Sequence, residues 1–187
     1  MSCYVIATSR SWNESLGDSL SHETENKFVV IQSQEDLTLA KLRALNPQMI
    51  FFPHWSYILP KEIYNEFECV MFHMTDLPFG RGGSPLQNLI QRGMRETKVS
   101  AFKCEAGVDT GPVYLKKALS LEGRAEDIFL RCRDVIKSMI REIVLKRPKP
   151  EPQKGDVVKF ERRTPEQSKI EGNETIETLY DHIRAVS

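Results

Sequence analysis

His73 closes a short apolar run, Cys69-Val70-Met71-Phe72, and leads through Met74 into a proline-containing glycine turn, Thr75-Asp76-Leu77-Pro78-Phe79-Gly80-Arg81-Gly82-Gly83-Ser84-Pro85. Downstream, Gly107-Val108-Asp109-Thr110-Gly111 sets a carboxylate between glycines. An imidazole titrates near neutral pH and can carry a proton either way, and a carboxylate facing it can orient the ring. A buried strand of an open sheet delivers its last side chain into a crevice, so His73 is placed for chemistry. Each residue also has a plain reading. A lone histidine after a strand is often a satisfied structural group, and an aspartate between glycines is a natural turn-former. Gly80, Gly82 and Gly83 tolerate positive φ and let the backbone pass close to a ligand. Arg81 either braces this turn or reaches an anionic substrate.

These residues need elements to hold them. Runs 3–8, 28–32 and 47–53 are apolar and β-branched enough to read as strands, as is 69–72. Apolar spacing over 36–45 predicts a helix with one buried face, and 61–67 a short one. Ser84-Pro85 resembles a cap followed by proline at the first helical position, starting a helix that runs to about Gly93. Segments 99–104 and 113–118 flank the acidic turn as two more strands. Ile128, Phe129, Cys132, Val135, Ile136, Met139, Ile140, Ile143 and Val144 recur at steps of three and four, predicting a long amphipathic helix over 125–145. A proline-rich stretch, 146–152, ends it, and a last helix is expected over 175–186. Alternating strands and helices predict an α/β fold, an open, mostly parallel twisted sheet with helices on both faces.

The chain has 187 residues with 40% hydrophobic content, enough for one substantial core. Lys+Arg and Asp+Glu both number 26, so no basic field draws a polyanion, and nucleic-acid binding is disfavoured. The four cysteines are scattered, with no pair or neighbouring histidine at ligand spacing; reduced thiols and no metal are expected. Without a leader or a run of roughly 18 apolar residues, the expectation is a soluble cytoplasmic protein with no membrane partner.

The segment 73–85 resembles the 10-formyltetrahydrofolate-dependent formyltransferases, whose motif reads Asn-x-His-x-Ser-Leu-Leu-Pro, two residues, Arg-Gly, two residues, Pro. His73, Leu77, Pro78, Arg81, Gly82 and Pro85 fall in register, with Thr75 at the serine. The acidic turn is similar to the family's Asp-x-Gly segment at a matching interval. Tyr57-Ile58-Leu59-Pro60 resembles the Ile-Leu-Pro segment that holds the pterin ring, and Arg162-Arg163-Thr164-Pro165-Glu166-Gln167-Ser168 is similar to the stretch following the catalytic domain in members acting on amino sugars. The resemblance implies a Rossmann-like formyltransferase domain over 1–150 and a C-terminal extension over 151–187, the latter open to truncation. It implies N10-formyltetrahydrofolate as formyl donor, His73 and Asp109 as catalytic residues, and Tyr57, Ile58, Leu59, Gly107, Val108 and Asp109 around the folate. The family's asparagine position holds Met71, which cannot donate a hydrogen bond. His54, with Asn88 behind it, is the candidate substitute.

In that chemistry an amine attacks the formyl carbon, and the site must stabilise a growing oxyanion. His73 would donate to it, Asp109 holding the ring protonated and helping the amine's proton reach the folate nitrogen. Among the family's acceptors, a glycinamide ribonucleotide calls for a glycine-rich loop after the first strand, where this chain has Ser9-Arg10-Ser11-Trp12-Asn13. A tRNA enzyme calls for a basic C-terminal domain. The leading expectation is a nucleotide-linked amino sugar, for example a 4-amino-4,6-dideoxy hexose of the pseudaminic-acid type. Arg81, Gly82, Ser9, Ser11 and Trp12 are its candidate contacts. The alternatives are a methionyl-tRNA formyltransferase-like enzyme, or a folate- or nucleotide-binding module with impaired turnover; a homodimer stays open.

Overall fold

The computed structural model describes residues 1–170, 172 and 174–186. Its strands are β1 (Cys3–Ala7), β2 (Lys27–Ile31), β3 (Ile50–Phe52), β4 (Cys69–His73), β5 (Arg81–Gly82), β6 (Glu96–Lys103), β7 (Val113–Ser120) and β8 (Lys159–Phe160). Its α-helices are α1 (Leu16–Thr24), α2 (Leu39–Leu45), α3 (Lys61–Glu66), α4 (Pro85–Gln91), α5 (Ala125–Lys146) and α6 (Ile176–Arg184).

Side chains alternate across a strand, and here both faces are covered. From β1, Tyr4 and Ile6 enter one core with Phe51, Val70 and the stripe of α5, while Val5 and Ala7 enter the other with Ile50, Phe52, Leu42 and Ile63. Helices α1, α4 and α5 supply the first layer, α2 and α3 the second. Helix α1 has no strong apolar signal, because Leu16 and Leu20, one turn apart, are its only large apolar residues. Gly17 lets it approach β2 closely: a Cβ there would lie 2.6 Å from Val30 Cγ2. Helix α2 begins at Leu39, three residues later than its spacing predicts, because Thr38 accepts the Lys41 N–H as a cap and Asp36 lies in the preceding turn.

The six-stranded sheet runs β2-β1-β3-β4-β6-β7. Its first four strands are parallel, and β6 and β7 are antiparallel, forming a hairpin whose loop carries the acidic turn. The chain steps outward from β1 to β2 and then returns to β3 on the other side of β1. Such a reversal leaves a crevice at the carboxyl ends of β1 and β3, where ligands bind in open α/β sheets. Residues 8–13, 53–56 and 73–74 emerge there. Among the described residues no helix is long and apolar enough to cross a membrane.

Residues beyond 150 are integrated into this body. Glu151 exchanges two backbone hydrogen bonds with Val113, at 2.7 and 2.9 Å. Strand β8 pairs with β5, inside the glycine turn. Arg184 is buried against Asp181 at 2.6 Å and donates to the Leu121 carbonyl.

Candidate active site

His73 is the last residue of β4, opposite Ser100 of β6. The Ser100 hydroxyl donates to the Thr75 carbonyl at 2.7 Å and accepts the Leu77 N–H at 3.2 Å, fixing the start of the turn. The Leu77–Pro78 peptide is cis. Gly80, with φ 76°, then brings its carbonyl 2.8 Å from His73 Nε2. No side chain fits at Gly80, since a Cβ would lie 2.7 Å from Thr75 and 2.8 Å from the Phe160 ring. A carbonyl only accepts, so Nε2 carries the proton and Nδ1 is the working nitrogen of His73.

That nitrogen is 3.7 Å from Asp109 Oδ2. Asp109 holds a left-handed φ of 53° and accepts the Gly82 N–H at 2.9 Å. Gln153 secures the loop by donating to the Asp109 and Gly111 carbonyls, both at 2.8 Å, and its own oxygen accepts from Arg81 at 2.8 and 3.2 Å. Arg81 is therefore a brace within the turn. The arrangement can accept a proton at Nδ1 and hold the resulting imidazolium against a carboxylate.

Both groups face a cleft of about 550 Å³ at the switch point. His54, Trp12, Gly82 and Val108 also line it, with Met71. The other expected contacts lie elsewhere. Tyr57 packs edge-on against Trp55, Ile58 is 92% exposed, and Leu59 is buried in the core beneath α2 and α3. The strand exit turns after Trp55 and Ser56, so these two rather than Tyr57 and Ile58 reach the cleft. Ser9 donates to the His54 carbonyl at 2.8 Å, and Ser11 and Gly107 are exposed outside the cleft lining. The Asn88 amide is committed to the Gly83, Ser84 and Glu161 carbonyls. Arg10, Phe102, Phe129 and Arg162 also line the cleft, although the sequence marks none of them as a site contact. Phe129 belongs to the α5 stripe that periodicity assigns wholly to the core, and only the strand order shows which end of that stripe meets a crevice.

His54, with φ 53°, is wedged edge-on between Trp12 and Phe129. Burial, with a smaller push from Arg10, lowers its pKa from 6.5 to about 4. The unfolded chain therefore binds a proton between these values that the folded chain refuses. Stability present above pH 6.5 is lost as pH falls toward 4, by about 3 kcal/mol at most. Denaturant titrations across that range should show this loss, and His54→Phe should flatten it; an unchanged slope in the variant would contradict the assignment.

Residues 14–140 match the family described as formyl transferase. The methionyl-tRNA formyltransferase of Thermodesulfovibrio yellowstonii is 30% identical over 81% of this chain and 52% of its own length. That of Thermus thermophilus is 29% identical over 82% of this chain and 52% of its own length. The chain thus spans about half the length of these curated relatives. Among solved structures, a methionyl-tRNA formyltransferase from Clostridium thermocellum superposes with a TM-score of 0.94 at 48% identity, covering 98% of this chain and 82% of that one. A sugar N-formyltransferase from Shewanella sp FDAARGOS_354 shares the fold, with a TM-score of 0.72 at 15% identity over 100% of this chain and 89% of its own. With the family's match running through β4, its histidine and the acidic loop, the chain belongs to the formyl transferase family.

Proposed function

We propose that this protein transfers a formyl group from N10-formyltetrahydrofolate to a primary amine. The observation that carries this reading is the convergence of His73 Nδ1 and Asp109 Oδ2, 3.7 Å apart, on one cleft. The amine nitrogen attacks the formyl carbon, forming a C–N bond and a tetrahedral oxyanion. His73 Nδ1 takes the proton from the new ammonium, Asp109 stabilises the imidazolium, and the proton passes to N10 as the carbon–N10 bond breaks. The apolar cleft walls, with Trp55, Met71 and Phe102, suit a flat heterocycle such as a pterin.

The acceptor we favour is a nucleotide-linked amino sugar. A cleft of about 550 Å³ accommodates a small molecule, the balanced charge gives no long-range attraction for RNA, and Arg10 and Arg162 line the cleft where an acceptor's phosphates would meet them. The second reading, methionyl-tRNA, is favoured by the 48% identity to the Clostridium thermocellum protein. Incubation with 10-formyltetrahydrofolate and either a panel of amino-sugar nucleotides or methionyl-tRNA, following tetrahydrofolate release and acceptor mass, separates the two. Formylated sugar nucleotide is the expected product. Formylated methionyl-tRNA alone establishes the second reading, and tight folate binding without transfer to any amine replaces both with a binding module.

A further inference from the structure

His73 alone does not complete the proposed chemistry. Its Nε2–H is taken by the Gly80 carbonyl, and its Nδ1 begins each cycle as an acceptor. The formyl oxygen gathers charge as the amine attacks, before that nitrogen has gained a proton to donate. Met71, level with Phe52 in the β3–β4 register, presents only a thioether to the cleft.

His54 follows β3 by two residues and lines the same cleft. The Asn13 amide nitrogen lies 3.3 Å from His54 Nδ1, 2.8 Å from Thr8 Oγ1 and 3.5 Å from the Pro53 carbonyl. The Pro53 carbonyl can only accept, so the amide presents its NH₂ on this side; Thr8 Oγ1 takes one of its two protons, and the other is shared between the Pro53 carbonyl and the nearer His54 Nδ1, which accepts. The proton of a neutral ring then resides on Nε2. That atom is buried and has no hydrogen-bond partner among the described residues. A buried donor left unpaired is costly and calls for a partner, and a ligand atom in the adjoining cleft, which Trp12 and Trp55 with their own unpaired indole N–H groups also line, would supply one. Ser9 holds the His54 carbonyl, and the rings of Trp12 and Phe129 flank the imidazole, so packing sets the ring at the cleft wall, and an acceptor reaches the covered Nε2 when a flanking side chain shifts on ligand entry.

We infer that His54 donates its Nε2–H to the formyl oxygen as it becomes an oxyanion, with Asn13 as the positioning residue that sets the tautomer. The inference rests on the formyl-transfer reading above and divides its labour: His73 moves the proton and His54 meets the charge. The burial that lowers the ring's pKa keeps it a neutral donor at neutral pH.

The test uses the whole chain, with hydroxylamine as a small amine acceptor and 5-formyltetrahydrofolate as a stable binding probe. His54→Phe should lower kcat about 10²–10³-fold with little change in KM for folate or in melting temperature. His54→Gln, which restores an N–H, should recover at least tenfold of that loss. Nitrogen shifts of labelled histidine should show the Nε2–H tautomer of His54 in wild type and its loss in Asn13→Asp. An Nδ1–H tautomer in wild type, or a His54→Phe rate within threefold of wild type while His73→Ala is inactive, overturns the inference and leaves the formyl-transfer reading standing. Wild type that neither binds 5-formyltetrahydrofolate nor transfers formyl overturns both, and the failure is then that of the parent reading.

Discussion

Asp109→Asn lowers the rate of formyl transfer by about 10²–10⁴-fold and leaves the melting temperature within a few degrees of wild type. The magnitude is that of general acid–base assistance, because the substitution removes the charge that holds imidazolium at His73. The fold is spared for local reasons. Asparagine adopts the left-handed φ of 53° readily, its side-chain oxygen still accepts the Gly82 N–H, and Gln153 still grips the backbone carbonyls of residues 109 and 111. His73→Ala should match the Asp109→Asn loss within about tenfold, and the double variant should fall little further, since the two act as a unit. Single-turnover measurement of tetrahydrofolate formation, with saturating donor, reads the chemical step directly. Asp109→Asn turning over within threefold of wild type would show that the carboxylate serves only the turn.

The His73 and Asp109 pair was legible because strand exits and glycine turns leave local marks. An apolar run ending in histidine, and a carboxylate between glycines, are patterns that survive without knowledge of the fold. Helix α1 left no such mark: its two leucines one turn apart carry too little periodicity, and its stability comes from packing on β2 and α5. Periodicity likewise could not show that β6 and β7 form an antiparallel hairpin, since pairing direction depends on the length and path of the connection. Tyr57 and Ile58 lie where the strand exit has already turned away, a geometric fact invisible in the apolar content of the segment. Gln153 shows the limit most clearly. It is a glutamine among prolines and lysines, yet it ties the acidic loop to Arg81, because residues beyond 150 fold back along the edge of the sheet.

Gly111→Ala should lose both stability and transfer, unlike Asp109→Asn. The glycine is required by proximity rather than by dihedral angle: a Cβ at this position would lie 1.8 Å from the Lys103 carbonyl oxygen and 2.9 Å from its carbon. Those are backbone atoms of β6, where the Lys103 N–H also donates to the Pro112 carbonyl at 2.9 Å, so no rotamer change relieves the clash. The hairpin loop must lift from β6, which separates the two carbonyls that Gln153 holds together and carries Asp109 away from His73. Relief of overpacking against rigid backbone costs about 3 kcal/mol. For a chain of this length that lowers the melting temperature by about 6–12 °C. Formyl transfer measured well below the transition should fall at least as far as in Asp109→Asn, because displacement of the carboxylate removes the same imidazolium partner and also frees the Gly82 N–H. Calorimetry and single-turnover rates on the two variants together distinguish charge from position. A Gly111→Ala protein with wild-type melting and wild-type rate would mean that the acidic loop does not seat against β6 and that the pairing of His73 with Asp109 depends on something other than this hairpin.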